Sequence, residues 1–180
     1  MHINEELTWD DVGNISTGSG TVKDAFSSKY ARKELLNTGT SLYKFNGYSS
    51  LGRGKITDTT VLSPWWSPTE AFQYDAGLSE RRKIAELNGI SFREWGRLTS
   101  VIKENWSTLS WLLTIELKIP VYAWFGGFQG MSRIDSGATS KRDSKVESKG
   151  RSKNLPGGGT QFYIPNLKLG SIRIYKFDPI

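Results

Sequence analysis

The sequence predicts an α+β fold in which a mixed or antiparallel β-sheet core is flanked by helices, and three observations predict it. Two stretches carry helix-capping residues and helical spacing, at Ser79–Gly89 and from Ser91 onward. Five apolar, β-branched or aromatic runs have the length and composition of strands. The two kinds of element succeed one another without the strand–helix–strand rhythm that builds a parallel sheet. A chain of 180 residues with 37% hydrophobic and 12% aromatic content suffices for one domain with a real core.

Taken in order, residues 1–20 end in "NISTGSG" and read as an N-terminal linker-like segment, leaving 21–180 as a single domain. In "TVKDAFSSKYARKELLNTG", Val22, Ala25, Phe26, Tyr30, Leu35 and Leu36 recur at roughly helical spacing, with Gly39 as a C-cap, so a helix is expected there. "SLYKF" at 41–45 reads as a strand, and "TTVLS" as a second one closed by "PWWSP". Prolines on both sides of Trp65 and Trp66 exclude a helix interior and predict a rigid extended corner.

Ser79 can cap "SERRKIAELNG", which Gly89 would end, and Ser91 with Glu94 has the spacing of a capping box. The helix beginning there would place Phe92, Trp95, Leu98, Ile102 and Trp106 on one face, the pattern of core packing. "WLLTIELKI" and "VYAWF" read as one long strand interrupted at Pro120, and "TQFYI" and "SIRIYKF" as two more. Between them, residues at about 130–154 are rich in glycine and charge without periodicity, predicting a long mobile basic loop above an ordered stem at "FGGFQG".

The chain has no cysteine, and its one histidine is His2, so no Ser-His-Asp or Cys-His triad and no zinc site built on internal histidines or cysteines is available. Chemistry must come from Asp, Glu, Lys, Arg, Ser, Thr, Tyr, Gln or Asn. No apolar run approaches the ~20 residues of a membrane span, so no membrane partner is expected. Lys141 to Lys153 holds six cations against Asp143 and Glu147, carrying +4 of a net +6. Such a run is either a solvated loop or an electrostatic footprint for an acidic macromolecule.

Three segments put polar or aromatic groups where a strand meets a turn: "LYKF" with Lys44, "LSPWWS" with Ser63, Trp65 and Trp66, and "GGGTQF" with Gln161. Strand ends gathered in a split sheet make a cleft. By period-2 alternation, if Leu42 and Phe45 help the core, Tyr43 or Lys44 must face elsewhere, and an ordinary surface lysine remains the alternative for Lys44. The glycine run by itself is also compatible with a plain hairpin connection.

The run "PGGGTQF" at Pro156–Phe162 resembles the late segment of the ADP-ribosyltransferase-fold bacterial toxins, in particular the NAD glycohydrolases of the tuberculosis necrotizing toxin type. "LYKFNG" is similar to that family's first motif with Lys44 where the family has arginine, and "LSPWWS" is similar to its second through Ser63 and Pro64. The resemblance implies an ADP-ribosyltransferase-like split sheet whose cleft holds NAD+ as substrate, with the nicotinamide stacked among aromatics. It puts Gln161 at the catalytic position, Lys44 at the phosphate contact and Ser63 at the structural serine. Tyr43, Trp65, Trp66, Gly158, Gly159 and Thr160 complete the binding surface. Glu116 in "LTIELKI" is the one acid inside an expected strand; it is either a catalytic stand-in or a strand-edge surface residue paired with Lys118.

The resemblance thus implies an enzyme that breaks the nicotinamide–ribose bond and passes ADP-ribose to a macromolecule, protein or nucleic acid, or to water. A neutral glutamine in the late strand leans towards water or an atypical acceptor, and the run Lys141–Lys153 would steer an acidic one. A nuclease-type toxin using lysine, arginine and tyrosine, or a non-catalytic nucleic-acid-binding module with exposed tryptophans, are the competing readings. The toxin reading implies a secreted or injected effector acting in the target-cell cytoplasm, with a cognate, acidic immunity protein.

Overall fold

The computed structural model describes residues 1–51, 55–100, 107–132, 154–155 and 159–180. Its centre is a seven-stranded antiparallel sheet of β1 (Arg32–Leu36), β2 (Ser41–Asn46), β3 (Trp65–Pro68), β4 (Trp111–Leu117), β5 (Val121–Gly127), β8 (Thr160–Tyr163) and β9 (Ile172–Pro179). A two-stranded ribbon pairs β6 (Met131–Ser132) with β7 (Asn154–Leu155). The sheet order is β1-β5-β8-β3-β2-β4-β9. Three helices, α1 (Trp9–Gly13), α2 (Leu78–Leu87) and α3 (Phe92–Ser100), flank it, which bears out the α+β expectation.

Cross-strand partners lie on the same face of a sheet, so the register sorts the side chains. One face carries Leu42, Trp66, Leu113, Ile115, Phe125 and Phe162, part of a single apolar cluster with Leu62, Ile164, Leu167 and Ile172. The opposite face is covered by two separate clusters. Val12, Val22, Phe26 and Ala31 pack on Trp124 and Tyr163, while Leu109 and the partly buried Leu78 and Phe92 pack with Tyr43, Phe45 and Leu112. Each fully buried large apolar side chain contributes about 1.5–3 kcal/mol, so the continuous face dominates stability.

Helix α3 sits close because Gly96 lies against Phe45, whose ring atoms would stand 2.2 Å from an added Cβ. The expected cap is present, with the Glu94 N–H donating to Ser91 Oγ at 3.1 Å. Helix α2 starts one residue before Ser79, with Gly77 at its N-cap, and closes at Gly89 with a positive φ of 67°.

Several sequence expectations are corrected. Residues 1–20 are folded rather than linker-like: Ile3 bridges to Val121, Asn4 donates to the Pro165 carbonyl at 2.7 Å, and Thr8 with Asp11 forms a capping box that starts α1. "STGSG" is a tight turn closed by a Ser16–Thr21 bridge, with Gly18 and Gly20 at positive φ. The helix expected over 22–36 is two single 3-10 turns and then β1; its apparent period arises because Val22 and Phe26 meet one cluster while Leu36 meets another. "TTVLS" makes only a Val61–Lys168 bridge, and the strand lies at Trp65–Pro68 instead.

The run from Trp111 to Phe125 is two strands in different halves of the sheet. β4 lies between β2 and β9, and β5 between β1 and β8, with Pro120 in the crossing. The stem at "FGGFQG" is ordered through β5 and the Phe26–Phe128 bridge. Ile102, Trp106, Gly158 and the expected loop core, Lys141–Lys153 included, lie outside the described residues.

Candidate active site

The strand β3 changes partner along its four residues. Trp65 and Trp66 pair with Tyr163 and Phe162 of β8, whereas Ser67 and Pro68 pair with Tyr43 and Leu42 of β2. Beyond Trp66 the strands β3 and β8 part, and the residues of β8 left without a β3 partner are Thr160 and Gln161. The glutamine expected to be functional thus stands where the sheet opens.

Gln161 pairs in register with Gly126 of β5, on the face divided between two covering layers. Only 2% of it is exposed, and its Nε2 has no hydrogen-bond partner among the described residues. Leaving a buried amide donor unpaired costs about 1–3 kcal/mol, which a purely structural position would not retain without a reason. Trp124 Nε1, on the neighbouring strand and the same face, and Ser100 Oγ, in the last turn of α3, share this condition. That turn is held over the start of β8 by the Gly159 N–H, which donates to the Thr99 carbonyl at 3.0 Å. Gly159 must be glycine here, since an added Cβ would stand 2.6 Å from that carbonyl oxygen.

A buried ionic cluster bridges the two sides of the opening. Arg81 of α2 pairs with Asp75 and donates to the Tyr43 hydroxyl at 2.5 Å and to the Thr160 carbonyl at 3.2 Å, while the Thr160 hydroxyl donates to Asp75. Asp75 is oriented by the Gly77 N–H at 2.8 Å, an Asx-type turn in which Gly77 has φ 84°. Thr160 and Tyr43, expected to contact a ligand, are therefore buried partners of this cluster. Burial pushes the Tyr43 phenol above its ordinary pKa, partly opposed by Arg81.

The two tryptophans divide as alternation demands. Trp66 is 1% exposed in the large cluster, and Trp65 is partly buried on the divided face, 4.7 Å edge-on from Tyr163. Ser63 is exposed and contributes its carbonyl to the Trp66 indole N–H at 2.8 Å. Lys44 lies on the face opposite to Gln161, its Nζ 5.4 Å from the centre of the Trp66 ring. Burial lowers its pKa to about 8. The single surface expected to hold both Lys44 and Gln161 is thus two surfaces.

Glu116 stands apart from both. It accepts a hydrogen bond from the Tyr175 hydroxyl at 2.6 Å, rather than pairing with Lys118, and lines a cavity of about 520 Å³ beside the start of β2. Asp75, Arg81, Trp124 and Ser100 are not among the residues expected from sequence. Only Asp75 carries a local signal, the Asp-Ala-Gly turn ahead of a helix.

No protein-family model matches the chain, and the search of curated proteins gives no match. Among solved structures, the chain is similar to one described as "Structure of Tne2 in complex with Tni2", at 13% identity and a TM-score of 0.42, over 83% of this chain and 92% of that one.

Proposed function

We propose that this domain consumes NAD+, cleaving the nicotinamide–ribose bond and passing ADP-ribose to water or to a macromolecular acceptor. The observation that supports this most directly is the buried Gln161 amide, unpaired at Nε2, at the place where β8 leaves β3 directly after a glycine run. In this reading the C–N bond breaks heterolytically, its electron pair leaves with neutral nicotinamide, and the cation at the ribose carbon is captured by an acceptor oxygen. Gln161 offers an amide oxygen and an N–H₂ to a ribose hydroxyl, fixing the ring without a competing charge. Trp65, Tyr163 and Trp124 supply an apolar wall that keeps bulk water from the cation.

A ligand reaches the amide when the last turn of α3 draws back from Gly159, because Gln161 is only 2% exposed in the closed arrangement. Lys44 has no place in this site; the phosphate-contacting role expected for it would require a surface on the other side of the sheet. The toxin reading extends to a secreted or injected effector acting in the cytoplasm of a target cell, neutralised by an acidic immunity protein that covers the same opening. The test is NAD+ consumption with stoichiometric nicotinamide release by the purified chain. Intact NAD+ after prolonged incubation, with or without cell lysate, sinks the proposal; fragmentation of RNA or DNA in the same lysate would favour the nuclease reading.

A further inference from the structure

The cavity beside Glu116 is not used by the proposed reaction. It is bounded by the start of β2, the end of β3, the loop at Glu70–Phe72, and parts of β4 and β9; Phe162 lines it, but Gln161 does not. Its volume of about 520 Å³ falls in the range of small-molecule sites, roughly 300–1,000 Å³. Its polar groups are mainly acceptors or hydroxyls: the Glu70 and Glu116 carboxylates with the hydroxyls of Thr40, Ser41 and Thr114. Thr114 is only 8% exposed and lines the cavity. The one cation among the described residues of the wall, Lys176, is drawn to Asp178 at 3.0 Å. The remaining wall is apolar and aromatic, with Phe72 edge-on to Phe162 at 5.0 Å.

We propose that this cavity is a second binding site, taking an alkyl guanidinium or alkylammonium cation whose N–H groups meet Glu116, Glu70 and the Thr114 hydroxyl while its stem lies on the partly buried Phe72. Two carboxylates with no paired cation among the described residues of the cavity favour positive charge, and aromatic faces add to the attraction. An anionic dinucleotide would be repelled by the same groups, so the site is distinct in chemistry from that of the proposed reaction and does not depend on it.

The probe is butylguanidinium, titrated into the full chain and compared with butylurea, its uncharged isostere. Saturable binding of the cation is expected, with butylurea weaker by about tenfold or more, and with Glu116→Gln and Glu70→Gln each weakening the cation several-fold. Shifts of the Phe72 ring protons place the stem. Tyr175→Phe frees the Glu116 carboxylate and should hold or tighten binding, which a loss of fold would not mimic. A capped arginine amide forms a parallel arm: binding equal to butylguanidinium identifies a protein side chain as an acceptable source, and weaker binding a free small cation. Equal affinity for butylurea, no response to either glutamine variant, or no saturation up to about 10 mM overturns the proposal.

Discussion

The two faces of the central sheet are built by the same strands and yet differ in continuity. On one face, side chains from β1, β2, β3, β4, β5 and β8 merge into a single cluster around Trp66, Phe125 and Phe162. On the other, the N-terminal segment covers Trp124 and Tyr163 while α2 and α3 cover Tyr43 and Phe45, and the Gln161 amide, unpaired at Nε2, lies where neither cluster extends. A continuous face spends most of its alternate residues on stability. An interrupted face leaves room for polar groups whose partners are not supplied by the fold, and such positions are where ligand chemistry belongs.

The largest expected effect comes from breaking the cluster that joins the two covers. Asp75→Ala strands the Arg81 guanidinium without its carboxylate in a buried setting and should cost about 3–5 kcal/mol, read as a lowered denaturation midpoint. A loss below about 1 kcal/mol would mean that the opening is hydrated and the cluster unimportant.

The paired tryptophans compare the faces side by side. Trp66→Ala should cost about 3–5 kcal/mol as a fully buried core residue, and Trp65→Ala less than half of that, with any loss of NAD+ turnover confined to Trp65. Equal destabilisation would erase the distinction between the faces.

Gln161→Ala should lower NAD+ turnover about 100-fold or more with little change in stability, because it removes an amide whose Nε2 pairs with no described residue in the closed fold. Retained turnover in a folded variant would dissociate the opening from catalysis. Gln161→Glu sharpens the test, since transfer rising relative to hydrolysis would set the side chain beside the ribose.

The smallest effect belongs to Lys44. Its folded pKa of about 8 lies below the 10.5 of an unperturbed lysine, so between these values the unfolded chain holds the proton more often, and stability should climb as pH rises from about 8 to 10. The Tyr43 phenol, pushed up by burial, acts in the opposite direction from about pH 10 upward, which limits the useful window. Lys44→Met should flatten the slope and raise stability at pH 7 by on the order of 1 kcal/mol. An unchanged slope would show that Lys44 is hydrated and not held against Trp66.

How far the sequence foretells this arrangement differs between its local and its distant features. Caps and alternation locate α2, α3, β2, β8 and β9, because Ser91, Gly89 and the period of "SLYKF" act through neighbouring residues. The opening of Trp65 and Trp66 to opposite faces is legible for the same reason. The order of the N-terminal segment is not legible, because it depends on Ile3, Asn4 and Val12 meeting strands more than a hundred residues away, which no local pattern carries. Gln161 is marked by its glycine run, whereas Arg81 sits in "SERRK", a stretch that reads as a solvated helix face until α2 is packed on the sheet. Lys44 stands out in the sequence as a cation inside an apolar strand, but its side of the sheet depends on register with Leu113.

The order of strands also governs how this chain must reach its native state. Of the six pairings in the seven-stranded sheet, only β2 with β3 joins strands consecutive in sequence; β4 and β5, separated by three residues around Pro120, enter opposite halves. Closing the other pairings demands long loops before any hydrogen bond repays them, so folding should be slow for a domain of this size, on the order of milliseconds to seconds. The last strands made complete both halves at once, β8 at the middle of one and β9 at the edge of the other. A chain still lacking its final twenty residues has neither β9 nor most of β8, the strand that joins β5 to β3, so the transition from unfolded to native should be correspondingly late and all-or-none.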